Sequence, residues 1–275
     1  MSYRDILLYL DGGNSNHERT TTVLQMAASQ GARVTAVTLN TIVPQGVRVK
    51  DQIVRREMAR EAAIERIEAF NRLAKDYNIE VYSRTISKKT TVAVKKVAQI
   101  ARNFDLVVLR QDNPASSHAG MQQELAEQVL LLSGRPVFFM PYIGAHRVPC
   151  RKAMIAYDGT PSVTRAVHDA LPILKGIDDI SIIVVRTEGQ KVAKGEVLAE
   201  DLVEHLQHHG LNVSLKRVYA GTSDVAVTIE NEIANNDIDL LVMGGYGTPS
   251  LQQKIFGGVT STLLSSMLVP VIMSH

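Results

Sequence analysis

The chain alternates short, unbroken apolar runs with longer stretches in which apolar residues recur every three or four positions. In the first half the runs are "DILLYL", "RVTAVTL", "EVYSRTI", "DLVVL" and "PVFFM"; in the second they are "AMIAY", "ISIIVV", "NVSLKRV", "DLLVM" and "PVIM". Between the second and third runs, Ala59, Ala63, Ile67, Phe70, Ala74 and Tyr77 fall on one helical face, while "RREMAR" and "EAAIER" turn charge outward. "ERTTTVLQMAASQG" predicts another helix, closed by Gly31 in a left-handed cap. Continuous apolar strands separated by helices predict parallel sheets covered on both faces, hence an α/β protein.

The pattern occurs twice. "YRDILLYLDGG" from Tyr3 recurs as "CRKAMIAYDGT" from Cys150, and "TTVAVKKVAQIARNFDLVVL" from Thr90 as "TSDVAVTIENEIANNDIDLLVM" from Thr222. A period of roughly 135 to 147 residues is far longer than any solenoid repeat, so each copy is read as a whole doubly wound domain of five strands and four helices. The break falls in "PYIGAHRVPC", where prolines, a glycine and polar residues interrupt the periodicity, giving domains 1–147 and 148–275.

In such sheets a ligand sits beyond the carboxyl ends of the strands, where the strand order reverses. Three features of the second half converge there: Asp158-Gly159 after the first strand, Gly244 and Gly247 after the fourth, and Gly257-Gly258-Val259-Thr260 opening the last helix. Bare backbone beside a helix N-terminus, with the Thr260 and Ser261 hydroxyls adjacent, is the chemistry of a phosphate cradle. The same glycines also suit a tight strand-to-loop turn and a closely packed helix, and Asp-Gly is a common turn start. The constellation distinguishes the readings; no single residue does. The first half keeps Asp11 and Gly12 but follows its fourth strand with Gln111, Asp112 and Asn113, so it is expected to be structural or to take a different ligand.

Met243-Gly244-x-x-Gly247, nine residues, then Gly257-x-Val259-Thr260, preceded by an aspartate after the first strand, resembles the ATP-binding signature of the universal stress protein family, and the duplication resembles its tandem two-domain members. The resemblance implies a five-stranded parallel sheet of strand order 3-2-1-4-5 in each domain. It also implies a site formed by Ala156, Tyr157, Asp158 and Val185 around the base and ribose, Met243, Gly244 and Gly247 at the ribose and first phosphates, and Gly257, Gly258, Val259 and Thr260 at the distal phosphates. ATP, or AMP or ADP, is the implied ligand, with Mg accompanying the nucleotide. The family usually has Ser or Thr where this chain has Gly258, a lost donor worth about 1.5 to 3 kcal/mol to a charged ligand. In the family the last strands meet across a twofold axis, so Val137 to Met140 are expected beside Val271 to Met273 as an internal pseudo-dimer, with a homodimer of chains also open.

Composition narrows the partners. Thirty Lys and Arg against 28 Asp and Glu leave a net charge of +2, no footprint for nucleic acid or an acidic membrane surface. A single cysteine, Cys150, precludes an intrachain disulfide, and the apolar run at the N-terminus is too short for a secretion signal, so a cytoplasmic protein is expected. His205 and His209 stand four apart on one helix, a metal spacing, but histidines before Gly210 also suit a helix C-terminus. Ser87 to Thr90 and Lys254 are weaker phosphate candidates. With no nucleophile elbow and no evident general base, a regulatory nucleotide-binding module in stress response is the leading reading. A slow ATPase or adenylyl-transfer enzyme and a scaffold with a decayed site are the alternatives.

Overall fold

Each apolar run becomes a strand and each periodic stretch a helix. In the computed structural model, which describes residues 2–13, 16–41, 52–113, 120–142, 149–190, 192, 198–246 and 258–275, the chain divides into two compact units, residues 2–135 and 136–275.

The first unit runs β1 (Asp5–Leu10), α1 (Asn16–Gln30), β2 (Arg33–Leu39), α2 (Gln52–Ala74), β3 (Val81–Ile86), α3 (Thr90–Ala101), β4 (Leu106–Arg110) and α4 (Met121–Leu132). Its parallel strands lie in the order β3-β2-β1-β4, with Leu8 beside Ala36 on one side and Val108 on the other. β1 and β4 carry the core: Ile6, Leu7, Leu8, Val107 and Val108 are fully buried, each contributing about 1.5–3 kcal/mol of transfer free energy. α1 ends as its glycine requires, with Gly31 at φ +63° and the Ala32 N–H reaching back to Ala27 O at 2.9 Å.

The second unit contains β5 (Val137–Met140), β6 (Lys152–Ala156), α5 (Pro161–Leu174), β7 (Asp179–Thr187), α6 (Ala199–His208), β8 (Val213–Gly221), α7 (Val225–Asn235), β9 (Leu240–Gly244), α8 (Val259–Ser266) and β10 (Val271–Ser274). The order β8-β7-β6-β9-β10 is the expected 3-2-1-4-5 arrangement. β5, by sequence the last strand of the first repeat, pairs antiparallel with β10, Phe138 opposite Ile272. The two apolar edges therefore cover one another as expected, and the compact units part between Arg135 and Pro136, ahead of the polar "PYIGAHRVPC" break. At the far edge β8 is largely exposed and bears Lys216 and Arg217, which discourage further strand pairing.

One polar device marks both copies. Asp105, just before β4, accepts the amides of Arg4 (2.8 Å) and Asp5 (3.0 Å); Asp239, just before β9, accepts those of Arg151 (2.8 Å) and Lys152 (3.0 Å). In each repeat a carboxylate thus pins the entrance of the first strand to that of the fourth, which explains the recurring Asp in "NFDLVVL" and "DIDLLVM".

Candidate functional site

At the carboxyl end of β6 the chain turns sharply. Asp158 Oδ1 accepts both the amide (3.1 Å) and the hydroxyl (2.6 Å) of Thr160, and Thr160 caps α5 by accepting the Val163 N–H at 3.5 Å, with Pro161 at the first helical position. Asp158 is half-buried, in reach of a ligand. The β6–β7 register pairs Ala156 with Ile183, which carries Val185 to the level of Asp158. On the other side Ala156 lies beside Met243. The side chains of Tyr157 and Met243 belong to the core, 7% and 5% exposed, so these positions offer main chain to the crevice.

β9 leaves the sheet through Gly244. A Cβ there would lie 2.6 Å from the Val163 nitrogen and 3.0 Å from Ser162 in the first turn of α5. The close approach that demands this glycine is therefore the helix, a packing reason that stands beside the ribose contact implied by the motif. Tyr246 then takes φ +50°, rare for a side chain of that size, and donates its N–H to Thr260 Oγ1 at 3.2 Å, tying the strand exit to the start of α8. Gly258 precedes α8 at φ +121°, ψ 173°, a conformation open essentially to glycine alone, and no side chain caps the helix. A Ser or Thr at this position would have to adopt that glycine-only backbone or shift it. The amides of Val259, Thr260 and Ser261 donate to no described residue, and Thr260, having accepted from Tyr246, keeps its hydroxyl proton to donate. This start of α8 fits an anionic ligand. Gly247, Gly257 and Lys254 lie outside the described residues.

The equivalent crevice of the first unit is closed by a group that the sequence reading overlooked. Arg110 occupies the place that Gly244 holds in the second repeat, and its Nε binds Asp11 Oδ2. Asp11 Oδ1 accepts from Arg19 Nη2 (3.1 Å) and from the Gly13 amide (2.9 Å), and Gln122 Nε2 donates to Oδ2 (2.9 Å) while Gln122 Oε1 accepts from Arg110 Nη2 (3.0 Å). The two repeats have exchanged bulk: Arg110 packs over Gly13, where a Cβ would lie 2.8 Å from its Cζ, whereas Thr160 stands at Gly13's position opposite the bare Gly244. Burial would raise the Asp11 carboxyl, but the attraction of Arg19 and Arg110 and the Gly13 amide outweigh it and hold the group at about 2. Asp112, one of the residues expected to obstruct phosphate, places Oδ2 on the Gly120 amide (2.8 Å), so a carboxylate of the chain itself sits at the start of α4. Gln111 is buried.

The remaining candidates fall into plain surroundings. The His205 ring lies between those of His168 and His209, centroids 5.1 and 4.8 Å away, the first tilted and the second edge-on, and the described residues contain no group of three or more side chains able to hold a metal ion. Cys150 is partly buried, and burial together with Asp239 pushes its thiol up to about 11. Among the described residues no helix is long and apolar enough to cross a membrane.

Comparison with known proteins bears on the same half of the chain. Residues 149–275 match the model of the universal stress protein family. Over 98% of its length the chain is similar to a universal stress protein from Archaeoglobus fulgidus DSM 4304 (TM-score 0.73, 17% identity, 94% of that chain covered) and to a functionally unknown protein, PA1789, from Pseudomonas aeruginosa PAO1 (TM-score 0.58, 12% identity, 92% covered). At these identities the likeness is one of fold. The sequence matches none of the curated proteins with which it was compared.

Proposed function

We propose that the chain, which matches the universal stress protein family over residues 149–275, is a tandem two-domain member of that family and a cytoplasmic, nucleotide-responsive regulatory module whose single ATP or AMP site lies in the second unit. The observation that carries this reading is the start of α8: three amides without partners among the described residues, a positive helix end that no described side chain caps, and a Thr260 hydroxyl held in place by the Tyr246 amide. Phosphate oxygens would take the N–H groups of Val259, Thr260 and Ser261 and the Thr260 proton, each bond to a charged group being worth about 1.5–3 kcal/mol. Asp158, oriented by Thr160, would accept from the base or ribose, with Ala156 and Val185 as the apolar wall. Gly244 would serve indirectly, by allowing the first turn of α5 to close on the end of β9. A Mg ion would travel with the phosphates.

Purified protein is expected to release ATP or AMP on denaturation, identified by mass spectrometry. Added nucleotide should raise its stability by about 2.7 kcal/mol at one hundred times the dissociation constant. Asp158→Ala should remove both signals while leaving the fold intact. An unchanged thermal shift in that variant would refute the site. Release of inorganic phosphate or AMP from ATP at rates above those of the Asp158→Ala protein would turn the reading toward an enzyme.

A further inference from the structure

The first unit, closed to phosphate at β4, is open elsewhere. A cleft of about 560 Å³ lies between α1 and α2 over the carboxyl end of β1, a volume typical of small-molecule sites. Its walls include apolar Leu10, Phe70 and Leu73; its polar groups include Asn16, His17 and Arg66.

Arg66 is a fixed cation that makes no ion pair with any described residue. Its Nε donates to Thr38 Oγ1 (2.8 Å) and its Nη2 to Leu39 O (2.9 Å), and Thr38 is itself held by donating to Leu10 O (2.9 Å). Both partners of the guanidinium are neutral. Nη1 and the second N–H of Nη2 remain for a ligand, in a fork already oriented and partly stripped of water. Behind it, among the described residues, the buried Arg19 and Arg110 share one carboxylate, Asp11, and Arg19 Nε and Nη1 have no acceptor. The interior at this end of the sheet therefore carries more positive than negative charge, an imbalance that an anion would relieve. At the mouth Glu65 adds a negative charge and Arg72 a positive one, the latter 3.9 Å from Glu68.

We propose that this cleft takes a small organic monocarboxylate, its carboxylate on the free edge of Arg66 and its apolar body along Leu10, Phe70 and Leu73. One negative charge matches the single free guanidinium edge that Arg66 presents, and Glu65 in the same lining disfavours a second. Asn16, which opens α1, turns its amide to Asp11 O and its oxygen to Arg19, so its side chain is already engaged within the chain.

The test uses octanoate and 1-octanol, titrated separately into the full chain at constant ionic strength and followed by calorimetry. Octanoate is expected to bind saturably and at least tenfold more tightly than the alcohol. Arg66→Met should abolish that preference, and Arg66→Lys, which keeps the charge without the planar fork, should retain part of it. Asp158→Ala should leave it unchanged, separating this cleft from the second unit. Because the carboxylate-to-alcohol ratio is read within each folded variant, a change in stability does not mimic the effect. No saturable octanoate binding, equal binding of both probes, or a preference that persists in Arg66→Met would each overturn the proposal.

Discussion

Replacing Asp11 by alanine should damage the fold and spare the ligand. The carboxylate is 1% exposed and takes donors from Arg19, Arg110, Gln122 and the Gly13 amide. Its loss leaves two guanidinium groups, 2% and 5% exposed, with only the neutral Asn16 and Gln122 as side-chain partners among the described residues. Removing one member of a buried ion network costs about 3–5 kcal/mol. Proton linkage points the same way: a carboxyl at about 2 in the folded chain against 3.8 unperturbed favours folding by about 2 kcal/mol at neutral pH. Because the folded value is the lower one, this contribution is complete above about pH 4 and disappears as the pH falls through 2. Urea unfolding at pH 7 is the assay. With m near 1–3 kcal/mol/M, the transition of the first unit should move down by roughly 1–3 M while nucleotide affinity stays at the wild-type value. Asp158→Ala is the matched control: a half-exposed turn carboxylate whose loss costs about 1 kcal/mol and abolishes nucleotide binding. Equal destabilisation by the two substitutions, or loss of nucleotide in Asp11→Ala, would refute the reasoning.

Gly244→Ala should destabilise the second unit by about 1–3 kcal/mol by forcing β9 away from α5, since its Cβ would lie 2.6 Å from a backbone nitrogen; thermal unfolding with and without nucleotide measures it. Gly258→Ser, which the family pattern suggests as a gain, should weaken ATP binding instead, because a side chain at φ +121° costs about 1–3 kcal/mol and displaces the amides of α8; calorimetry giving tighter binding would contradict this. Thr260→Val removes both the acceptor for Tyr246 and the hydroxyl donor, and should weaken ATP by about tenfold or more with little change in the urea midpoint of the unliganded protein.

The strands, their parallel order and the duplication were legible because each core strand is a continuous apolar run and the Asp105/Asp239 pins repeat in sequence as they do in space. The edge pairing of β5 with β10 was legible for the same reason: two short apolar strands with nothing else to cover them. Gln111, Asp112 and Asn113 mark the first crevice as obstructed in the sequence itself, and Asp112 does place a carboxylate at the α4 start. The larger obstruction, Arg110, ends an apolar strand and read as its polar terminus, and Arg19 read as a solvent-facing helix position. Their convergence depends on the β1–β4 register, which no local pattern encodes. A signal was nonetheless present. Superposing the repeats sets Arg110 against Gly244 and Gly13 against Thr160, a reciprocal exchange of bulk that marks a side chain filling one crevice and leaving the other open. Gly244 was legible as a close approach, but its neighbour, the first turn of α5, was not.

The central claim is that duplication left one working nucleotide site and one closed by Asp11 and its arginines. Calorimetric titration of the nucleotide-free full chain with ATP, repeated with AMP, measures this directly. Saturation at one nucleotide per chain is expected, abolished by Asp158→Ala and retained in Asp11→Ala. Saturation at two equivalent nucleotides per chain, or at one that survives Asp158→Ala, would contradict it.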